Sequence, residues 1–462
     1  MRIKQVAVKK LFGIFDHRIP MDKPEGVTII HGPNGFGKTV MLKMIAGALR
    51  GDPSIFQTIP FDEFRLEFDD ESSWTLRARR ERSSRKAGFG PQLTLVTSKN
   101  GQENTATLRD APDSPSNRQI LNLIDTSVPR PYARSGAGWR DNAGTPYSLD
   151  QILTLFPDAA STVPPEVLAR LRGGVWKPLG IDVFVIEANR LAATGPGERK
   201  ERMTYYSPPS YDDDESMAPG QQRINQYSAD LVQRIKTVRS DYAKVTQERD
   251  STFPERLIQF MRTDEVPLGE SDIVIKLKEL DQKRRHLIGL GFLDKEGVLG
   301  VFRDEDARLA RQALTIYVDD VGRKLSAFDD MAGRSGKLIE IIKDRFEYKT
   351  LGIHREQGFV VESEAGGRVN LADLSSGEQH ELILLYELLF QTPKNGLILV
   401  DEPEISLHVA WQSRFLSDLI DVLRLNGAYA LVATHSPTVI GTQWDLTTEL
   451  RGPKSRPDPR RD

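Results

Sequence analysis

A glycine-rich loop near the N-terminus carries the clearest chemistry in this sequence. Residues 32–39 read Gly-Pro-Asn-Gly-Phe-Gly-Lys-Thr, which fits the pattern G-x-x-x-x-G-K-[ST]. Glycines let backbone N–H groups curl around phosphate oxygens, and the N-terminus of a following helix adds its dipole. Lys38 would reach the β- and γ-phosphates, and Thr39 would bind Mg²⁺. The loop predicts a site for ATP and Mg²⁺, with ATP-binding residues Gly32, Asn34, Gly35, Gly37, Lys38 and Thr39.

An apolar run that ends in two carboxylates is the second candidate. Residues 397–402 read Leu-Ile-Leu-Val-Asp-Glu. Burying acids at the end of a strand is unfavourable unless they serve a metal or a water. Asp401 would hold Mg²⁺ through water, and Glu402 would polarise the water that attacks a phosphate. A surface turn would explain the same run without any chemistry, so the run alone leaves both interpretations open.

Two further segments have both a structural and a chemical interpretation. Residues 374–379, Leu-Ser-Ser-Gly-Glu-Gln, precede an apolar helix predicted over 382–390. They are typical of ordinary helix capping, or of a helix end that faces a γ-phosphate. Residues 431–437, Leu-Val-Ala-Thr-His-Ser-Pro, predict an apolar strand that ends in His435. A single histidine at a strand end is more often structural than catalytic.

Hydrophobic patterning predicts the elements that must position these residues. A buried strand over 27–30 precedes the glycine-rich loop and a helix over 39–49 follows it, which argues against a chance match to the pattern. Alternating segments at 64–68 and 74–79 predict antiparallel strands, and 181–186 predicts another buried strand. Near the C-terminus helices alternate with apolar strands, which indicates the α/β class.

Shifts in composition divide the chain into five segments. The apolar stripe that begins at Leu231 has helical spacing, and we expect Pro254 to interrupt that helix. The predicted segments are an N-terminal half with the phosphate loop and a β subdomain (1–200), a linker rich in glycine, proline and acidic residues (201–222), an inserted helical lobe (223–346), a C-terminal half (347–450) and a disordered tail (451–462).

Composition excludes several classes of protein. The 462 residues include no cysteine, so disulfides, thiolate chemistry and cysteine-based zinc sites are ruled out. The formal net charge of −3 means that any site for nucleic acid must be local. The N-terminus lacks the apolar stretch of a signal peptide, and no run is apolar enough to span a membrane. We therefore expect a cytoplasmic protein without membrane contact.

One local basic cluster stands out against the acidic balance. It consists of Arg77, Arg79, Arg80, Arg82, Arg85 and Lys86. The cluster could contact DNA phosphates or an acidic partner. Charges that protect an exposed strand edge are the preferred interpretation.

The order and spacing of the motifs resemble the ABC-type ATPase heads of the SMC, RecF and OLD families. The resemblance covers residues 1–60 and 347–450, and it implies a mixed-sheet α/β core with an antiparallel β subdomain and an inserted helical lobe. It also implies that Asp401 and Glu402 are the Walker B pair, with Glu402 catalytic, and that His435 senses the γ-phosphate. The implied signature, which acts on a nucleotide held by a second copy of the chain, is Ser375, Ser376, Gly377 and Glu378.

The chain departs from that pattern at three places. Ser376 occupies a position where transporter-type signatures have glycine, and His408 stands where many ABC proteins have an aspartate. The segment 404–408, Glu-Ile-Ser-Leu-His, matches the D-loop region and is similar to the OLD-like branch. No clear Q-loop glutamine is present; Gln57 is the nearest candidate for that additional contact to Mg²⁺.

A finer resemblance is to the ATPase of two-component anti-phage systems such as PARIS. The segments 59–66, 376–382 and 401–411 carry it. It implies a homodimer or higher oligomer that controls a separate effector, expected to be a Toprim-type nuclease, in response to a phage-encoded trigger. The chain has no nuclease motif of its own.

Two other functions compete with this hypothesis. A DNA-repair or recombination ATPase resembling RecF or a short Rad50 head is the main alternative, although a long heptad stripe and a hook are missing. An interaction scaffold that binds ATP with little turnover is the other, and the intact Lys38, Glu402 and His435 argue against it.

Overall fold

The computed structural model describes most of the chain in two compact units. The first unit contains Met1–Asp212 and Thr392–Asp462, and the second contains Asp213–Gln391. The described residues are 1–79, 92–99, 101–108, 115–128, 132–135, 138–140, 146–147, 152–153, 155–156, 159, 179–187, 219–263, 265–294 and 310–452. The predicted tail therefore falls almost wholly outside the described residues.

Strands and helices alternate along both parts of the first unit. The strands are β1 (Ile3–Leu11), β2 (Phe15–Pro20), β3 (Val27–His31), β4 (Glu63–Phe68), β5 (Ser73–Arg79), β6 (Gln92–Lys99), β7 (Gln102–Leu108), β8 (Ala133–Ser135), β9 (Gly138–Arg140), β10 (Pro146–Tyr147), β11 (Val183–Ile186), β12 (Lys349–His354), β13 (Gly358–Ser363), β14 (Arg368–Val369), β15 (Leu397–Asp401), β16 (Tyr429–Ala433) and β17 (Thr447–Glu449). The helices are α1 (Lys38–Arg50), α2 (Ser54–Thr58), α3 (Pro115–Ser127), α4 (Pro219–Arg262), α5 (Glu270–Gly289), α6 (Arg311–Ser326), α7 (Asp329–Lys343), α8 (Ser376–Tyr386), α9 (Val409–Asn426) and α10 (Pro437–Ile440).

A parallel sheet forms the centre of the first unit. Its strand order is β11-β15-β16-β3-β17, and every adjacent pair is parallel. Strands β15 and β16 are buried along their whole length, as expected for parallel strands that are covered on both faces. The continuous apolar runs in the sequence follow from that burial, and the predicted strands at 27–30 and 181–186 are confirmed.

An antiparallel sheet with strand order β2-β1-β4-β5-β6-β7 forms the β subdomain of the first unit. Its strands alternate buried and exposed residues, as in the pattern of β4, because only one face packs on the core. Helix α1 contributes Met41, Leu42 and Ile45 to the same core as Leu399 of β15 and Phe64 of β4. The mixed-sheet α/β class is thus confirmed, with its antiparallel subdomain.

The second unit contains the helices α4 to α8 and a small antiparallel sheet of order β12-β13-β14. The predicted interruption at Pro254 is wrong, because α4 runs through this proline. The Arg256 guanidinium donates to both carboxylate oxygens of Asp320 at 2.7 Å and to the carbonyl of Arg249 at 2.8 Å. These tertiary contacts hold the helix on both sides of the single hydrogen bond that proline removes.

The boundaries of the two units differ from the predicted segments. Residues 347–391, which include the signature residues, group with the helices and not with 392–450. Helix α4 begins at Pro219, inside the predicted linker, and residues 201–218 lie outside the described part of the chain. Within the described residues, the helices are too short or too polar to cross a membrane.

Candidate nucleotide site

The carboxyl ends of three neighbouring strands bring the predicted chemical residues together. Asp401 of β15 pairs in register with Ala433 of β16, and Ala433 pairs with Ile30 of β3. The glycine-rich loop follows β3, Glu402 follows β15, and His435 follows β16 within two residues. Crevices at the carboxyl ends of parallel strands are the usual place for ligands in α/β folds.

The loop geometry requires glycine at the start of α1. Gly37 caps the helix with a left-handed backbone, φ 87° and ψ 19°, which favours glycine. A Cβ atom at Gly37 would also lie only 2.6 Å from Leu11 Cδ2. Gly35 is left-handed as well, with φ 83°. The loop therefore presents the N-terminal N–H groups of α1 to any anion that it binds.

Lys38 lies buried within the loop that precedes it. Its ammonium donates to the carbonyl oxygens of Gly32 at 2.9 Å and Pro33 at 3.3 Å, and it contacts the imidazole of His435. Burial lowers the pKa of Lys38, while the nearby carboxylates of Glu402 and Asp401 oppose this effect. The cation is thus held at the point where the loop and the other strand ends converge.

Asp401 and Thr39 form a pair suited to Mg²⁺. The Thr39 hydroxyl donates to Asp401 Oδ1 at 3.1 Å, although the two residues are far apart in sequence. Burial raises the pKa of Asp401, and the Glu402 carboxylate adds to this effect. A divalent cation would supply the positive charge that this buried carboxylate needs. Mg²⁺ typically binds one or two protein oxygens together with substrate phosphates and waters, so these residues fit it.

Glu402 adopts a strained backbone immediately after β15. Its φ of 42° and ψ of 62° are left-handed, which is uncommon for a residue other than glycine. The Glu402 N–H donates to the Ala433 carbonyl at 2.8 Å. Its carboxylate Oε1 lies 3.3 Å from His435 Nε2. Strain of this kind concentrates at functional sites, and here it accompanies a carboxylate beside an imidazole.

Glu404 is a residue whose contacts the sequence did not predict. Its Oε1 accepts hydrogen bonds from the Thr434 hydroxyl and from the backbone N–H groups of His435 and Ser436. Sequence resemblance places Glu404 only in the D-loop region. The side-chain partner is two strands' worth of sequence away, so no local signal could have identified it.

The signature residues occupy the N-terminus of α8 in the second unit. Ser375 and Glu378 form a capping box: the Ser375 hydroxyl accepts from the Glu378 N–H, and the Glu378 side chain accepts from the Ser375 N–H. Lys349 also donates to Glu378 at 2.8 Å. Burial works against the charge of Glu378, but bonds from Lys349 and Ser375 hold its pKa below the usual value. The capping interpretation is confirmed, and the contact to a phosphate stays a prediction.

Two weaker calls stay predictions. Gln57 lies in α2 with an exposed side chain, and nothing tests its role at Mg²⁺. Of the basic cluster, Arg77 pairs with Glu63 at 2.9 Å, which fits the interpretation of a charged strand edge. The cluster from Arg80 to Lys86 lies outside the described residues.

Comparisons with known families support an ATPase. Residues 240–441 match the family model described as "AAA domain, putative AbiEii toxin, Type IV TA system". The match covers fewer than half of the 462 residues. It includes the signature, Asp401, Glu402 and His435 and begins after the glycine-rich loop. It indicates an AAA-type ATPase domain.

Individual relatives are more distant. Protein ea59 of Escherichia phage lambda is 39% identical over 70 residues, which span 15% of this chain and 13% of that protein. An Smc head domain from Pyrococcus furiosus, bound to the C-terminal domain of ScpA, aligns with 95% of this chain and 90% of its own at 13% identity and a TM-score of 0.33. The SMC head domain from Thermotoga maritima aligns with 95% and 91% at 11% identity and a TM-score of 0.29. Similarity at these scores has no bearing on function.

The burial of Asp401 predicts a measurable conflict between stability and function. Because its folded pKa is raised, ionised Asp401 destabilises the fold at neutral pH, and this penalty vanishes below the ordinary aspartate pKa of about 4. Asp401→Asn keeps an acceptor for Thr39 and should raise the melting temperature at pH 7. The gain should disappear as the pH falls towards 4.

The control for this experiment is Asp62→Asn, since the Asp62 side chain is exposed. Differential scanning calorimetry over a pH series measures both variants without nucleotide. A melting temperature for Asp401→Asn at or below that of the parent at pH 7 would contradict the electrostatic account.

Proposed function

We propose that this chain binds ATP with Mg²⁺ and hydrolyses it to ADP and phosphate. The observation that carries the proposal is the convergence of Lys38, Asp401, Glu402 and His435 at one edge of the parallel sheet. Lys38 contacts His435, Thr39 bonds to Asp401, and Glu402 lies 3.3 Å from His435. These side chains come from three strand ends that only the sheet brings together. The AAA-domain match supports the same activity.

Each residue has a role that follows from its chemistry. The loop N–H groups and Lys38 bind the phosphate oxygens and balance their negative charge. Thr39 and Asp401 would hold Mg²⁺, which supplies additional charge neutralisation at the phosphates when it is bound. Glu402 orients a water and accepts its proton as the water oxygen attacks the γ-phosphorus and the bond to ADP breaks. His435 can donate a hydrogen bond to the γ-phosphate from its position beside Lys38 and Glu402.

Glu402→Gln separates binding from hydrolysis. Glutamine has the same size but cannot accept the proton from water, so turnover should fall by about 10²-fold or more while ATP affinity stays close to that of the parent. Lys38→Ala should instead abolish binding, because the loop loses its cation. Phosphate release and fluorescent-nucleotide binding measure the two effects. Turnover at the parental rate in Glu402→Gln would show that another residue orients the water.

We further propose that the active form is a homodimer or higher oligomer, in which Ser375, Ser376, Gly377 and Glu378 complete the nucleotide site of a second copy. Ser375 and Ser376 are exposed at the N-terminus of α8, whose free N–H groups favour an anion. Ile405 and Val409, which follow Glu402, are exposed at 62% and 68% of their surface. Exposed apolar side chains beside a charged site are typical of an interaction surface.

Ser375→Arg tests this arrangement by complementation. The arginine should block the trans contact and stop hydrolysis, although the phosphate loop of the variant stays intact. Mixing Ser375→Arg with Lys38→Ala should restore part of the activity, because each mixed pair has one site with an intact loop and an intact signature. Each variant alone is the control. A monomeric preparation that hydrolyses ATP at the full rate would contradict the proposal.

The cellular role that we propose is anti-phage defence, in which the ATPase controls a separate Toprim-type nuclease and responds to a phage-encoded trigger. The matching family description names a putative toxin of a type IV toxin–antitoxin system, which supports a two-component system. The local similarity to a phage lambda protein fits a setting of phage conflict. ATP binding and hydrolysis would switch the dimer between two states, and a partner that prefers one state is thereby controlled.

Co-expression with the neighbouring gene tests the division of labour. The chain alone should neither cut DNA nor slow cell growth, and with its partner it should form a complex whose release requires hydrolysis at Glu402. Plasmid cleavage, growth curves and co-purification with ATP measure these outcomes, with Glu402→Gln as the control. Metal-dependent cleavage or toxicity by the chain alone would contradict the proposal. ATP-dependent binding to DNA ends would favour the repair function.

A further inference from the structure

We propose that Glu404 is a positioning residue for hydrolysis, which holds the His435 loop against the segment that carries Glu402. This inference rests on the proposed ATPase function and adds a residue that does not itself touch the reacting atoms. The side chain of Glu404 connects the end of β15 to the end of β16. The imidazole and the carboxylate that face each other across the site are carried by these two ends.

Three hydrogen bonds converge on a single oxygen of Glu404. Oε1 accepts from the Thr434 hydroxyl at 2.8 Å, from the His435 N–H at 2.6 Å and from the Ser436 N–H at 3.1 Å. Two of the three donors are backbone groups, so the contact fixes the path of the main chain. The His435 Cα can therefore move little relative to Glu404 unless these bonds break.

The second oxygen of Glu404 shows that acceptance at Oε1 is the main role of this side chain. Among the described residues, Oε2 is buried and has no hydrogen-bond partner. A carboxylate that served mainly as a charge would be expected to have both oxygens paired or solvated. Glutamine offers the same carbonyl oxygen to the three donors and places its amide group at the position of Oε2. The amide would remove a half-buried negative charge without removing the three bonds.

A second connection joins the same two segments. The Ser436 hydroxyl donates to Gln412 Oε1 at 3.0 Å. The Gln412 amide group donates in turn to the carbonyl oxygens of Glu404 at 3.2 Å and Leu407 at 3.3 Å. Glu404, Ser436 and Gln412 thus form a closed set of contacts between the loop after β16 and the turn after β15.

The contacts have a direct consequence for the catalytic pair. The Glu402 carboxylate lies 3.3 Å from His435 Nε2, and the His435 side chain is 31% exposed, so apolar packing does little to hold the ring in place. Polar contacts to its own backbone must hold it instead. Displacements of about 1 Å at a catalytic group can reduce turnover by about 10²-fold. Loss of the Glu404 side chain should therefore impair hydrolysis and leave the phosphate loop intact.

The experiment compares Glu404→Ala with Glu404→Gln in the full-length protein. Glu404→Ala should lower kcat by about 10²-fold and change KM for ATP by less than about threefold, because Lys38 and the loop still bind the phosphates. Glu404→Gln should restore kcat to within about threefold of the parent. Melting temperatures of both variants monitor folding. A purely structural role would move the melting temperature and active fraction, leaving kcat per folded protein unchanged.

A double-mutant cycle with His435 decides whether Glu404 acts through that residue. In a His435→Ala background, Glu404→Ala should cause less than about a threefold further loss, because residues that act as a unit are not additive. Multiplicative losses would overturn the proposal, as would parental kcat in Glu404→Ala. A kcat for Glu404→Gln as low as that for Glu404→Ala would show that the charge is essential, which also overturns it.

The controls separate this inference from the proposed function. If the parent protein and Lys38→Ala release phosphate at the same background rate, the ATPase assignment has failed. If the parent hydrolyses ATP and Glu402→Gln does not, the assignment stands and the Glu404 variants test the inference by itself.

Discussion

The register of three parallel strands is the constraint on which the candidate site depends. Asp401, Ala433 and Ile30 are aligned across β15, β16 and β3, so the residues that follow each strand emerge side by side. This alignment brings Lys38, Glu402 and His435 into contact although they are separated by hundreds of residues in sequence. Strand pairing in the sheet interior therefore determines the chemistry at its edge, and a slip in register would separate the groups.

The site accepts unfavourable energies that a purely structural region would avoid. Burial disfavours the charged forms of both Lys38 and Asp401. Glu402 has a left-handed backbone, which typically costs about 1–3 kcal/mol for a residue other than glycine. These costs are tolerated because the surrounding strands are fully buried and hold the segment in place. Opposite charges and strained backbone at one strand edge are expected where a protein binds and cleaves a charged substrate.

In the second unit, buried charges tie the signature helix α8 and the π-helix Glu387–Gln391 to the long helix α4. The buried Glu387 accepts from Arg223 at 2.6 Å and from the Tyr227 hydroxyl at 2.5 Å, and burial raises the pKa of Tyr227 to about 12. Asp230 of α4 accepts from the Tyr386 hydroxyl at 2.7 Å. Removing one partner of such a network would leave a buried charge uncompensated, so the end of α8 follows the position of α4.

Much of the first unit could be predicted from sequence, because its signals are local. The glycines of the phosphate loop, the apolar runs of β3, β15 and β16, and the capping box at Ser375 each depend on neighbouring residues. The order of the strands, the bonds of Glu404 to the loop of His435 and the passage of α4 through Pro254 depend on groups far apart in the chain. The sequence by itself determined which residues could bind phosphate and a metal. Only the tertiary structure decided which of them meet, because strand pairing and side-chain hydrogen bonds between distant segments form after the chain has folded.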